Sequence, residues 1–305
     1  MASFRNYYFY FLFAILFFGI VTTSCKSDEP LFVEGPNPDS SQNLSQPGEE
    51  LPENGCDDFI LPDLTAPSLV TKLEDIEIED PINSCTWKYV VYLPPSYYED
   101  SNRKYPVLYF LHGLCNKPLS TSIALGTRFT LNYLYHNNLL PEMIVIFPEG
   151  GASYWVDDYE EGLKYETFFF TTFMPEVERE FRIDQNLKRY ISGFSMGGYG
   201  AAHYAFTHPD LFGYCYSMSC TLLGKGVEQT PSILSNLKIE DSPLLSIDVG
   251  MDDQFIEVNE FVHLYFEKIG FTHEYIRREG GHEFSFWKIG FYACLLRIGR
   301  LDHHQ

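Results

Sequence analysis

The chain has 305 residues, 45% of them hydrophobic and 17% aromatic, enough apolar material for one large α/β domain with a filled core. Its formal charge is −21, from 21 basic against 42 acidic side chains. That balance excludes nucleic acid as a partner, because phosphate binding needs a basic face, and it disfavours simple electrostatic docking on anionic lipid. The seven cysteines, Cys25, Cys56, Cys85, Cys115, Cys215, Cys220 and Cys294, show no C-x-x-C pair and no Cys/His zinc spacing, so no metal is expected.

Residues 1–24 read as a signal peptide: Arg5 is the only charge, and Phe9 to Val21 is an apolar run too short for a comfortable transmembrane span. Thr22-Thr23-Ser24-Cys25 then resembles a bacterial lipobox, with Thr22 where leucine is usual, and makes Cys25 the expected acylation site. The alternative is ordinary signal-peptidase cleavage and free secretion. The expected location is therefore a bacterial outer-membrane or cell-surface lipoprotein, otherwise a periplasmic or secreted protein, touching membrane only through the lipid on Cys25. Residues 25–62, rich in Pro, Ser, Asn, Gln and Glu, cannot bury enough surface to fold and read as an acidic flexible tether. The folded domain is expected over residues 63–305. Within an exported chain some of the last six cysteines could pair, but Cys215, Cys220 and Cys294 sit in apolar runs and read equally well as buried free thiols.

Period-two alternation predicts strands at Leu73–Ile78 and Thr86–Leu93, joined by a turn through Asp80-Pro81 and Asn83. Val107–Leu111 and Met143–Phe147 are short and wholly apolar, the pattern of strands buried on both faces of a parallel sheet. Helical periodicity covers Phe129–Tyr135. A long loop from Pro148 to Lys164 carries Trp155, and Glu166–Phe181 is an amphipathic helix that Pro175 should tighten or kink. Further strands are expected at Lys188–Ser192, Tyr214–Met218, Leu244–Val249 and His273–Arg277, and helices at Gly198–Ala205, Glu257–Ile269 and Phe284–Leu296, with a polar, irregular stretch over Leu223–Ser242. Alternating strands and helices mean an α/β fold: a mainly parallel central sheet flanked by helices, in a single domain, with its site at the carboxyl ends of the strands.

Four of those ends carry chemistry. After Lys188–Ser192 comes Gly193-Phe194-Ser195-Met196-Gly197. Alone, G-x-S-x-G is a weak signal, since Gly193 could end a strand and Ser195 cap a helix. Between a strand and a small-residue helix it reads as a nucleophile elbow, which puts the Ser195 hydroxyl at the tip of a sharp turn. A serine hydroxyl needs an imidazole to take its proton, and His282, after Gly280-Gly281 at the end of the last strand, is placed to do so. His112 sits at the end of Val107–Leu111; His203, His208 and His263 lie on or beside helices. The imidazole needs an orienting acid. Asp252 and Asp253, in Gly250-Met251-Asp252-Asp253, both qualify by position. The backbone N–H groups of Met196 and of Leu114, after His112-Gly113, are the candidate oxyanion donors. The order Ser, Asp, His is that of α/β hydrolases. Trp155, Phe194 and Trp287 are candidates to line an aromatic acyl pocket.

Leu111-His112-Gly113-Leu114, Gly193 to Gly200, His208-Pro209-Asp210-Leu211-Phe212, Gly250-Met251-Asp252-Asp253 and Gly280-Gly281-His282 resemble the esterase D-like, feruloyl esterase-type family of α/β hydrolases, similar to carbohydrate esterase family 1. The resemblance covers about residues 86–298. It implies an α/β-hydrolase fold, Asp253 as the acid, ester hydrolysis through an acyl-serine intermediate, and no cofactor. With the export signal, it points to feruloyl or acetyl esters of plant polysaccharides as substrate. Esterase action on a siderophore or other small-molecule ester, acyl transfer on the same scaffold, and a non-catalytic surface glycan-binding lipoprotein are the alternatives.

Overall fold

Eight strands form one sheet in the order β1-β2-β4-β3-β5-β6-β7-β8. The computed structural model describes residues 72–160, 162–220 and 242–302, all within a unit spanning 47–305. The expected signal peptide, tether and Cys25 lie outside the described residues, as does nearly all of Leu223–Ser242. The strands are β1 (Lys72–Asp80), β2 (Cys85–Leu93), β3 (Val107–Leu111), β4 (Ile144–Pro148), β5 (Arg189–Phe194), β6 (Phe212–Met218), β7 (Leu244–Gly250) and β8 (Glu274–Arg278). β1 and β2 pair antiparallel with each other, and β2 pairs antiparallel with β4. From β4 to β8 all pairings are parallel. The β1–β2 turn is closed by buried Asp80, whose carboxylate accepts from the Ile82 and Asn83 amides, each at 3.0 Å, and from Trp87 Nε1 at 2.8 Å.

The central strands are buried on both faces. In β3, Val107, Tyr109 and Leu111 belong to one core layer, while Leu108 and Phe110 belong to the other. The first layer is covered by α3 (Tyr165–Phe168), α4 (Met174–Glu180), α5 (Met196–Thr207) and α6 (Ile256–Ile269). The second is covered by α2 (Thr127–His136) and α7 (Phe284–Asp302), with α1 (Pro118–Ala124) leading into α2. The helix expected over 166–181 is continuous but widened: Phe169–Phe173 is a π-turn, closed by the Met174 N–H bonding the Phe169 carbonyl. Pro175 is the cause, because it has no N–H to continue the α-helical ladder.

Behind the last two strand ends lies a buried ion pair. Arg278 donates to Asp248 through Nε at 2.9 Å and Nη2 at 2.7 Å. Tyr216 Oη adds a hydrogen bond to the same carboxylate at 2.7 Å. Arg278 also donates to the Phe286 carbonyl and lies over the Phe286 ring at 3.5 Å. The Asp248–Arg278 pair thus joins β6, β7, β8 and the start of α7. Removing one partner of such a pair leaves a charge unpaired in the core. Asp248→Ala should therefore lower unfolding free energy by about 3–5 kcal/mol, read by urea denaturation.

Candidate active site

β5 runs into α5 through Ser195, whose backbone sits at φ 57° and ψ −122°. The turn is possible only because Gly193 and Gly197 lack side chains: a Cβ on Gly193 would lie 2.4 Å from the Gly197 carbonyl oxygen, and one on Gly197 would lie 2.0 Å from that of Leu111. The Ser195 N–H is held by the Met218 carbonyl at 2.9 Å. The hydroxyl therefore stands at the tip of the turn, beside the first amides of α5.

His282 Nε2 lies 2.9 Å from Ser195 Oγ, and His282 Nδ1 lies 3.0 and 3.2 Å from the two Asp253 carboxylate oxygens. An ionised carboxylate can only accept, so Nδ1 carries the hydrogen and the Nε2 lone pair faces the hydroxyl. Asp253 is buried, with 2% of its surface exposed, whereas Asp252 is exposed. Of the two acids left open by position, the structure thus brings Asp253 to the imidazole. Burial would raise the Asp253 pKa, but hydrogen bonds from His282, Ser219 and the Phe255 N–H outweigh it and hold the carboxyl below its ordinary value. The acid and base turns are also tied to each other: the Met251 N–H bonds the Arg278 carbonyl at 2.9 Å and the Asp252 N–H bonds that of Gly280 at 3.0 Å. Phe255 and Trp287 meet the His282 ring edge to face, at 5.0 and 4.8 Å between centroids.

At the end of β3, His112 is fully buried and neutral, its pKa lowered to about 4 by burial. Its Nε2 accepts the Gly150 N–H at 2.9 Å, so Nδ1 carries the hydrogen and donates to the Gly113 carbonyl at 2.7 Å. The Asn116 N–H bonds the same carbonyl at 3.2 Å. In a trans peptide the C=O and the following N–H point in opposite directions. Pinning the Gly113 oxygen therefore fixes the direction of the Leu114 N–H. Neither the Leu114 nor the Met196 amide donates to a backbone carbonyl among the described residues, leaving both available to an incoming oxygen. Sequence reasoning left His112 without a role; its one signal was the His-Gly pair directly after a buried strand.

The three aromatic candidates for an acyl pocket are placed otherwise. Trp155 is fully buried, wedged between Gly150 and Gly200 and edge-on to His112 at 5.1 Å. Phe194 is fully buried under Gly113 and stacks on Trp287 at 4.1 Å. Trp287 is 6% exposed. With no solvent-facing surface, Trp155 and Phe194 support the loops around Ser195 rather than line an open pocket. Half-buried aromatics around these residues include Phe255, against His282, and Phe284, against Phe194, as well as Tyr154 and Tyr159, stacked at 4.3 Å, with Tyr154 beside Tyr199, one helical turn beyond the serine. The four described cysteines other than Cys115 are free thiols, among them buried Cys215, Cys220 and Cys294, and Cys115 is disulfide-bonded.

Residues 82–298 match the family model described as "Putative esterase". The chain belongs to this family. Among curated relatives, an esterase of Mycobacterium tuberculosis is 34% identical over 120 residues, 37% of this chain and 25% of that protein. The chain thus spans about a quarter of the mycobacterial esterases it matches. An acetyl esterase of Caldicellulosiruptor saccharolyticus is 23% identical over 59% of this chain and 78% of its own length. Among solved structures, a ferulic acid esterase superposes with a TM-score of 0.67 at 27% identity, covering 77% of this chain and all of that one. The expected α/β-hydrolase fold is the fold of this esterase-family chain.

Because His112 is uncharged in the folded state down to about pH 4 but titrates near 6.5 when unfolded, the unfolded chain binds the extra proton between those values. Stability should fall as pH drops from about 6.5 toward 4, by up to roughly 3 kcal/mol from this group. His112→Gln should flatten that slope in urea titrations across the window. It should also remove the Nδ1 contact to the Gly113 carbonyl and so loosen the Leu114 amide.

Proposed function

We propose that this protein is a serine carboxyl-ester hydrolase, and that Ser195, His282 and Asp253 are its catalytic triad. The observation that carries the reading is the unbroken hydrogen-bond chain from Ser195 Oγ through both nitrogens of His282 to the buried carboxylate of Asp253. His282 Nε2 takes the Ser195 proton as Oγ attacks the ester carbonyl, and the imidazolium formed is stabilised by Asp253. The carbonyl oxygen, now an anion, accepts from the Leu114 and Met196 amides. Collapse of the tetrahedral species breaks the bond to the alcohol, which leaves with the proton from His282. Water, deprotonated by the same nitrogen, then attacks the acyl-serine and releases the acid, restoring Ser195.

The substrate class we assign is feruloyl or acetyl esters of plant polysaccharides. Its supports are the family, the likeness to a ferulic acid esterase and an acetyl esterase, and the export signal read in residues 1–24. Export as a lipoprotein acylated on Cys25 would put the enzyme at the surface where such polymers are met.

The purified protein should hydrolyse nitrophenyl acetate and at least one of methyl ferulate and acetylated xylan, and Ser195→Ala should lower kcat by about 10⁴-fold or more. Activity surviving in Ser195→Ala would overturn the triad. Turnover of the nitrophenyl ester alone would keep the triad and reject the plant-polysaccharide substrate.

A further inference from the structure

Ser219, one residue beyond β6, has a backbone that a non-glycine residue adopts at a cost. It is fully buried and sits at φ +47°, in the left-handed region. Its N–H is fixed on the Asp248 carbonyl at 2.8 Å. The side chain so presented touches two partners. Trp287 Nε1 donates to Ser219 Oγ at 3.1 Å, and the Ser219 hydroxyl is hydrogen-bonded to the Asp253 carboxylate. An indole N–H can only donate, so it occupies a lone pair of Oγ. A serine hydroxyl has a single hydrogen, and with the indole on one side that hydrogen is directed to the carboxylate.

The geometry points to Ser219 and Trp287 as positioning residues for the acid of the triad: the indole orients the Ser219 hydroxyl, and the hydroxyl orients the Asp253 carboxylate toward His282 Nδ1. The inference rests on the triad reading above. It explains why Trp287 is buried rather than open to substrate. Its ring face stacks on Phe194, next to the nucleophile, at 4.1 Å. It meets His282 in a perpendicular contact at 4.8 Å. Its N–H reaches the acid through Ser219. One side chain thus touches the surroundings of all three triad members. Asp253 also accepts the Phe255 N–H at 2.8 Å, so losing Ser219 removes one donor of several and leaves the carboxylate in place but less fixed. Among the described residues, His282 is the one titratable side chain hydrogen-bonded to Asp253.

The test is the pH dependence of nitrophenyl acetate hydrolysis by the full chain, Ser219→Ala, Trp287→Phe and the double variant, with Ser195→Ala alongside. A carboxylate that has lost a donor is more basic and stabilises the imidazolium more strongly. The acid limb of kcat/KM in Ser219→Ala should move up by about half a pH unit or more, with kcat lowered about tenfold and KM within about twofold. Trp287→Phe keeps an aromatic ring and removes the N–H; it should shift the limb the same way by less, and should add nothing in the Ser219→Ala background. A residue serving only packing would lower the melting temperature without moving the limb. An unmoved limb in Ser219→Ala, or losses that add in the double variant, would overturn the inference. If Ser219→Ala does not fold, the limb of Trp287→Phe decides it by the same criterion. Wild-type activity in Ser195→Ala would sink the triad reading itself, whereas an inactive Ser195→Ala beside an unaltered Ser219→Ala would sink this inference alone.

Discussion

The near-contact between the Leu111 carbonyl and the two glycines of the elbow sets the position of everything else in the site. β3 and β5 are parallel neighbours, paired from Leu108 with Tyr190 to Leu111 with Gly193. Helix α5 starts directly over the end of β3, with no room for even one methyl group at Gly193 or Gly197. The closeness places the amide at the start of α5 on the same side as the loop after β3, so the Met196 and Leu114 N–H groups can share one oxygen. The strained backbone at Ser195 is held by what surrounds it: the hydrogen bond from its N–H to the Met218 carbonyl, buried α5 packing and the apolar β3 strand beneath. A looser helix would relax the turn and separate the hydroxyl from the amides.

The acid and the base, by contrast, are placed by polar contacts. Their turns follow β7 and β8, paired from Ser246 with Glu274 to Gly250 with Arg278, and their backbones bond each other beyond the sheet. Beneath them the Asp248–Arg278 pair is buried, and its cost of desolvation is offset by the number of its hydrogen bonds rather than by charge attraction alone. Asp248 and Asp253 lie five residues apart on one strand and its turn. One carboxylate anchors the two strands and the other meets the imidazole. The division keeps the buried cation away from Asp253, whose hydrogen-bond partners are His282, the Ser219 hydroxyl and the Phe255 amide.

Much of this was legible in the sequence, because periodicity and turn chemistry are local. Two-faced apolar runs gave β3 and β4, and Gly193 and Gly197 around Ser195 announced a sharp turn. The chain order Ser, Asp, His needed only the strand ends, which left Asp252 and Asp253 both open. What was not legible depends on burial and on contacts distant in sequence. Nothing in the spacing of Trp155 or Phe194 tells whether a ring faces substrate or fills the space under a loop; here it is the glycine partners at 113, 150 and 200 that draw the rings inward. The choice between adjacent Asp252 and Asp253 depended on which carboxylate turns inward. Ser219 carries no motif at all, and its role arises from residues 34 and 68 positions away being folded against it. The π-turn at Phe169–Phe173 was half visible, since Pro175 predicts a disturbed ladder without saying whether it kinks or widens.

Two histidines, His112 after β3 and His282 after β8, show how environment separates their chemistry. His112 is fully enclosed, with both ring nitrogens committed to backbone partners, Gly150 and Gly113. A second proton there would break the Gly150 contact and place a charge where water cannot follow, which is why its pKa is about 4. Such a ring works as a fixed strut that neither gains nor gives a proton near neutrality. The His282 side chain is 21% exposed and faces a carboxylate on one nitrogen and a hydroxyl on the other; in the mechanism proposed above, its Nε2 takes the hydroxyl proton and passes it to the leaving alcohol. The same side chain thus serves once as a constraint on an amide and, in the proposed mechanism, once as a proton carrier. The difference follows from whether the partner across each nitrogen is a backbone group, which cannot titrate, or the Asp253 carboxylate, which compensates the charge when it appears.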